Sequence, residues 1–282
     1  MHTVRFIGRG RAGGSMASAL RDAGWTVLEP LGRGDDISSA ASGVDVVVIS
    51  TPDDLIGSIA GSLIPNPDAV VVHMSGSLGL DVLSPHQRRA SCHPLVPLPN
   101  PDVGTRRLRS GCTFAVSGDP IARDIVDSLG GRTIVVGDED RATYHAAACI
   151  AANHVVALMG QVERIANSIG LSIDDFLGLA TAAIKDVERL GPAAALTGPA
   201  ARGDRQTLSR HRAAIAPEER PGYDAGVQLV SQLVSGSHQE LAGGLEVGAP
   251  EAGGIRVPIY SIEDYLTKYP ETGPVVAASA GS

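Results

Sequence analysis

The apolar positions of this chain fall into two regimes. Up to about residue 137, short apolar runs alternate with amphipathic or polar stretches: Val4 to Ile7, Trp25 to Leu28, Val44 to Ser50, Ala69 to His73, Ala90 to His93, Cys112 to Val116 and Thr133 to Val136. Val44 to Ser50 is apolar almost without alternation, the mark of a parallel strand buried on both faces. A helix over Ser15 to Ala23 follows the first run and stops at Gly24. Thr51-Pro52-Asp53-Asp54 reads as a strand-to-helix turn with capping residues. Strands alternating with helices predict an α/β fold, a doubly wound parallel sheet with right-handed crossovers and helices on both faces.

The pattern changes near Gly137. Residues 141 to 169 are alanine-rich, lack proline and hold one glycine, Gly160, so they read as one long helix. Ile173 to Glu188 reads as a second. Gly191 to Gly203 is a loop of Gly, Pro and Thr, and Arg205 to Ala214 and Tyr223 to Val234 read as further helices. The second half is therefore all-helical. Gly243 to Gly254 and Glu271 to Ser282 are rich in Gly, Ala and Pro and read as mobile. No internal repeat is visible.

The first strand runs into Gly8-Arg9-Gly10-Arg11-Ala12-Gly13, and a helix follows at once. Strand, Gly-x-Gly-x-x-Gly and helix in that order form the phosphate cradle of a Rossmann dinucleotide-binding domain. Gly8 allows the tight turn, Gly10 lets the backbone approach a pyrophosphate, and Gly13 lets helix and strand pack closely. The new helix offers free N–H groups and its positive dipole end. Arg11, Ala12, Thr51, Pro52 and Ser75 belong to the same expected cofactor surface. An acidic residue at the end of the second strand favours NAD, and an arginine favours NADP. Glu29 lies 21 residues after Gly8, but Gly32-Arg33 follows, and Arg9 and Arg11 flank the cradle. The three arginines tip the expectation to NADP over NAD. The domain division read here is a Rossmann NAD(P)-binding domain over 1–137, a helical substrate and dimerisation domain over 138–270, and a tail over 271–282. A cleft between the two domains would face the carboxyl ends of the strands, where such sheets bind ligands.

Composition narrows the class. The 282 residues are 43% hydrophobic and 19% charged with a net charge of −8, which is globular and argues against nucleic acid as a partner. Cys92, Cys112 and Cys149 are widely separated and odd in number, so no disulfide framework or zinc ribbon is indicated. No signal peptide and no membrane span are read, and a reduced cytoplasmic location is expected. No metal site is expected. Gly-x-Ser-x-Gly, the phosphate-loop Gly-Lys-Ser/Thr and His-Glu-x-x-His are all missing, which argues against hydrolase and transferase classes.

Reduction of a carbonyl or imine needs a hydride source, a proton donor and groups that orient the substrate. Three clusters offer such groups. His73-Met74-Ser75-Gly76-Ser77 and Ser91-Cys92-His93-Pro94-Leu95 lie at strand ends. His145, Cys149 and Asn153 share one face of the long helix at i, i+4, i+8, with Tyr144 beside them. Arg202, Asp204, Thr207 and His211 form the third: Arg202 is suited to clamp a carboxylate, with a capped helix start and a solvated arginine as the plainer reading. Lys185, beside Asp186 and Glu188, reads as a solvated helix face.

Ser75 and His93 stand where prephenate dehydrogenases, which the first domain resembles, have a Gly-Ser turn and a later His-Pro. The resemblance implies contact with the reacting hydroxyl; a lysine after the serine turn is missing, and Leu95-Val96 follow Pro94 in place of the usual Gly. The long helix resembles that of β-hydroxyacid and 6-phosphogluconate dehydrogenases, whose Lys-x-x-x-Asn would place its asparagine at Asn153. Cys149 stands where their lysine would, so His145 or Tyr144 is left to supply a proton. The motif set over residues 1 to about 240 resembles a group of Rossmann-like oxidoreductases of unassigned substrate, similar to pyrroline-5-carboxylate reductase and deazaflavin-dependent NADP reductases. That resemblance implies a helical C-terminal domain like that of 6-phosphogluconate dehydrogenase and a homodimer formed through it. The expectation is an NADP-dependent oxidoreductase reducing a small keto acid or imine, ketopantoate being one analogy. His93, His145, Asn153 and Ser75 are its catalytic candidates, and Arg202, Asp204 and His211 its substrate ligands. The alternative is a nucleotide-binding sensor without catalysis.

Overall fold

The computed structural model describes residues 2–242. The expected tail, with Gly243 to Gly254, lies outside the described residues. The chain divides into two compact units, Met1–His154 and the residues from Val155 on. The helix that begins at Arg141 therefore belongs with the sheet as far as His154, beyond the boundary at 137 that the composition suggests.

In the first unit, β1 (Thr3–Ile7) leads into α1 (Arg11–Asp22), β2 (Thr26–Val27), β3 (Val46–Ile49), α2 (Asp53–Ser62) and β4 (Val70–His73). Then come β5 (Arg89–Pro94), α3 (Pro101–Leu108), β6 (Thr113–Gly118), α4 (Ile121–Ser128), β7 (Arg132–Val135) and α5 (Arg141–Cys149). The seven strands form one sheet in the order β2-β1-β3-β4-β5-β6-β7. Successive residues of the central strands enter opposite layers. Val4, Phe6, Val46, Val48, Val70 and Val72 join one core with α1 and α4. Ile7, Val47, Ile49 and Val71 join the other with Ile56 and Ala60 of α2. This split explains why the strands read as unbroken apolar runs: both faces are covered.

The sheet is Rossmann-like and mostly parallel, with one correction to the expected all-parallel arrangement. β5 and β6 pair antiparallel, from Ala90 opposite Gly118 to Pro94 opposite Phe114, and β7 runs parallel to β6. The connection stays on one side of the sheet: α3 lies at the carboxyl edge and packs on α1, where Thr105 Oγ1 donates to Ser15 O at 3.3 Å, so β6 starts from the edge at which β5 ends.

After α5, a π turn covers Ile150–His154, so the long helix is not regular as expected. The second unit holds α6 (Val155–Asn167), α7 (Asp174–Leu190), α8 (Pro192–Ala195), α9 (Arg205–Ala214) and α10 (Arg220–Ala242). Its buried apolar cluster is small: Leu208 and Val227, with Ala200 and Tyr223 against them. Arg164 and Glu219 form an ion pair (Nη2 to Oε2 3.0 Å) that ties α6 to the start of α10. Many large apolar side chains of this unit face solvent, Val156 at 72% and Leu179 at 71% exposure among them. One described stretch, Asp138–Asn167, is by length and composition apolar enough to cross a membrane, a feature the sequence reading did not expect. That stretch also carries the polar residues His145, Asn153, His154, Glu163 and Arg164.

Candidate active site

The switch point of the sheet lies between β1 and β3, and ligands of such sheets bind beyond the carboxyl ends of the strands there. Gly8 has φ +114°, and a Cβ on it would sit 2.8 Å from Ser50 O, so only glycine fits the turn. A Cβ on Gly13 would overlap Ser50 Oγ and come within 2.6 Å of Gly8 O. Gly10 is the opposite case: nothing lies within 4 Å of its Cβ position. It precedes α1, whose N-terminus has no side-chain cap and no acidic residue in its first turn. Free N–H groups, a positive dipole end and an approachable backbone suit a diphosphate. Thr51 Oγ1, on the neighbouring turn, is buried without a partner. These residues fit a dinucleotide.

The second strand ends later than its regular part suggests. Leu31 forms a bridge with Ile7, donates its N–H to Phe6 O at 2.8 Å and accepts from Gly8 N–H at 2.8 Å. Glu29 and Pro30 thus fall in an interruption, and Gly32 and Arg33 follow the true strand end beside the cradle. Arg9 is held over the same spot. Its Nε donates to Pro30 O at 2.8 Å and its Nη2 to Asp35 Oδ2 at 2.9 Å, and Asp35 also accepts from Gly32 N–H. Arg11 and Arg33 are exposed and form no ion pair among the described residues.

Further along the same edge, β4 ends at His73 and β5 at His93 and Pro94. Asp53, the first residue of α2, does not cap its helix as expected. It accepts hydrogen bonds from Ser75 Oγ at 2.6 Å and Ser77 Oγ at 2.9 Å, and Ser75 Oγ in turn accepts from the N–H groups of Ser77 and Leu78. This network fixes the turn that carries Gly76. Gly76 lies so close to the His93 and His145 rings that a Cβ there would stand 2.9 Å from His93 Nε2 and overlap His145 Nδ1. The two imidazoles meet edge to face at 5.6 Å. His93 Nδ1 and Tyr144 OH are hydrogen-bonded at 2.8 Å, and His145 Nε2 contacts Cys149 Sγ at 3.6 Å.

A cavity of about 370 Å³ opens from this pair. Its walls are His93 to Pro97 on one side and His145, Ala148, Cys149 and the π-turn residues Ala151 to Asn153 on the other. Such a volume suits a small molecule, and π turns often mark functional sites. Beneath the pair lies Arg141, 1% exposed. Its Nη2 donates to the hydroxyls of Ser91 and Ser117, one from each strand of the antiparallel pair. His73 is wholly buried; burial, aided by the Arg141 charge, lowers its pKa to about 4. Burial, then His145 and Arg141, lower that of His93 to about 4. Burial pushes Tyr144 up to about 12. His73, His93 and Tyr144 are thus uncharged at pH 7, above the buried guanidinium of Arg141.

The structure brings Ser75, His93, His145 and Asn153 into one region, as the sequence motifs suggest. Arg202, Asp204 and His211 lie in the second unit. Asp204 Oδ1 accepts from Thr207 N–H at 3.0 Å and caps α9; Arg202 is exposed. His211 Nδ1 is hydrogen-bonded to Tyr223 OH at 3.0 Å, beside a second cavity of about 420 Å³. Sequence reasoning missed Arg141 and the Asp53 network. Arg141 carried no signal, since one arginine at a helix start reads as a surface charge. Among the described residues no cluster suited to a metal ion occurs.

The model of a domain of unknown function, DUF2520, matches residues 112–229, which include Tyr144, His145, Asn153 and Arg202 but neither His93 nor the glycine cradle. Comparison with curated proteins gives no match. Among solved structures, the chain is similar to protein TM1727 of Thermotoga maritima, with 24% identity over 83% of this chain and 99% of that one, TM-score 0.64. It is similar to a protein of Bacteroides fragilis named as a candidate NADP oxidoreductase, with 18% identity over 82% and 98%, TM-score 0.66. A third is a reductive aminase of Aspergillus terreus in complex with NADPH and ethyl levulinate, with 14% identity over 85% and 94%, TM-score 0.63. At these identities the likeness establishes the fold.

Proposed function

We propose that this chain is an NADP-dependent oxidoreductase that reduces the carbonyl or imine of a small molecule, a keto acid or its imine being the preferred class. The observation that carries the reading is a shared sheet edge. The open Gly10 cradle and the cavity with His93 and His145 both stand at the carboxyl ends of the parallel strands. Reduction adds a hydride to carbon and a proton to oxygen or nitrogen, and a bound nicotinamide would supply the hydride. The protein's part is to hold the acceptor group against the histidines, orient it with Asn153 and keep water out of an apolar cavity. Two of the three named neighbours carry NADP or NADPH in their names, which supports the cofactor. Arg33, following the true end of the second strand, and Arg9 favour a 2′-phosphate over Glu29 and NAD. Ketopantoate remains one substrate to try.

The exposed apolar side chains of the helical unit support a homodimer formed through it, since a patch of that kind on a lone monomer is costly. The three cysteines are all free, in keeping with a cytoplasmic location. Thermal unfolding with NADPH, with NADH and with neither is the first test. A ligand at 100 times its Kd adds about 2.7 kcal/mol. Stabilisation by NADPH, followed by its oxidation with a keto acid or imine, supports the proposal. Stabilisation without turnover over a broad panel favours a nucleotide sensor, and no shift with either nucleotide overturns the reading.

A further inference from the structure

We infer that Tyr144 is a positioning residue that locks His93 in one tautomer, with the proton on Nε2, so that a neutral imidazole presents an N–H donor to the cavity. The inference takes its purpose from the reductase reading but stands on separate geometry. His93 is the one hydrogen-bond partner that Tyr144 OH has among the described residues, at 2.8 Å through Nδ1. Two arrangements satisfy that distance. If Nδ1–H donated to the phenol, the Tyr144 proton would have no acceptor among the described residues, and Nε2 would be left as a bare lone pair. If the phenol donates, a strong O–H donor meets a strong imine-type acceptor, and Nε2 must carry the ring proton. A phenol oxygen is a poor acceptor because its lone pair is delocalised into the ring, so the second arrangement wins.

The surroundings act in the same direction. Burial keeps the phenol protonated. Burial disfavours a charge on the imidazole, the neighbouring His145 (edge-on at 5.6 Å), Arg141 and His73 act in the same direction, and Asp53 opposes them. His93 Nε2 lies against Gly76, whose lack of a side chain leaves room for the His93 and His145 rings, and His93 is part of the cavity wall. His93 would then act by hydrogen-bond donation to the oxygen or nitrogen that gains charge, and not as an imidazolium acid. Such a site has no activity limb near pH 6.5 from His93, because the ring does not titrate there.

The test is nitrogen-15 NMR of the full-length protein with labelled histidine at pH 7, comparing the wild type with Tyr144→Phe and assigning His93 through His93→Gln. The expected result is a protonated Nε2 and a bare Nδ1 in the wild type, and a Tyr144→Phe spectrum in which the Nδ1-protonated form appears. With an active substrate in hand, Tyr144→Phe should lower kcat by at least about tenfold and leave the KM for NADPH unchanged. Protonation of wild-type Nδ1, a cationic His93 at pH 7, or the same tautomer with and without the phenol hydroxyl would each overturn the inference. The spectrum requires neither substrate nor cofactor, so its failure is distinct from failure of the reductase reading, which the nucleotide shift decides.

Discussion

The two units of this protein spend their hydrophobic residues differently. The sheet unit hides them: every residue of β3 and of the Val70–His73 strand is buried, and two cores sandwich the sheet. The helical unit shows them, and its own buried cluster rests on Leu208 and Val227. A unit with two full cores has enough buried surface to be stable by itself. The helical unit leaves Val156 and Leu179 more than two-thirds exposed, the surface on which the proposed homodimer would form. The polar residues follow the reverse rule. The sheet unit buries Arg141, His73 and Ser91, and the helical unit keeps most of its charges on the surface.

The sharpest break of this comparison is to charge the exposed apolar face. Val156→Glu with Leu179→Glu should weaken self-association on the order of 100-fold while leaving NADPH binding intact; sedimentation equilibrium reads it. A wild type that is monomeric at micromolar concentration would sink the idea. Next comes the cradle. Gly13→Ala should cost about 1–3 kcal/mol through overpacking, measured by urea unfolding. Gly10→Ala, with open space around it, should leave stability nearly unchanged and weaken NADPH. Equal stability losses at both positions would contradict the assigned roles.

Acid should act on the sheet unit first. His73 has a folded pKa of about 4 against an ordinary 6.5. The unfolded chain therefore binds the extra proton between those values, and stability falls as pH falls from 6.5 towards 4. His73→Gln should flatten that slope in urea midpoints taken across the window; an unchanged slope would assign it elsewhere. The smallest effect is at Arg33. Arg33→Ala should raise the KM for NADPH about tenfold relative to NADH, the worth of one charge-assisted contact. An equal rise for both nucleotides would remove the 2′-phosphate role.

The strands of the sheet unit were legible because burial on both faces leaves an unbroken apolar run, and the cradle because three glycines have fixed offsets. The reversal after β5 was not legible, since it depends on where α3 packs and not on any strand's pattern. In the site, His93, His145 and Asn153 stood out as residue types that chemistry uses. Arg141 did not, because its importance comes from burial between Ser91 and Ser117, which are 26 residues apart in sequence. Glu29 stands at the usual offset, but the interruption at Glu29-Pro30, which the pattern does not show, shifts the strand end to Leu31.

The seat of α3 on α1 also decides the direction of travel of everything after it. Because β6 and β7 run backwards, the chain leaves β7 at the amino edge of the parallel strands. Asp138 shows this by accepting from Leu80 N–H, just before β5 begins its climb. The next helix must therefore ascend alongside β5, passing Ser91 at Arg141, His93 at Tyr144 and His145, and the cavity from Cys149 to Asn153. From Arg141 to Asn153 is roughly 18 Å of helical rise. A connection that crossed back over the sheet would have released the chain at the upper edge, pointing away. The return of the chain along one edge thus turns an ordinary exit into a ladder whose rungs are, in order, an anchor, a pair of aromatic rings and a wall.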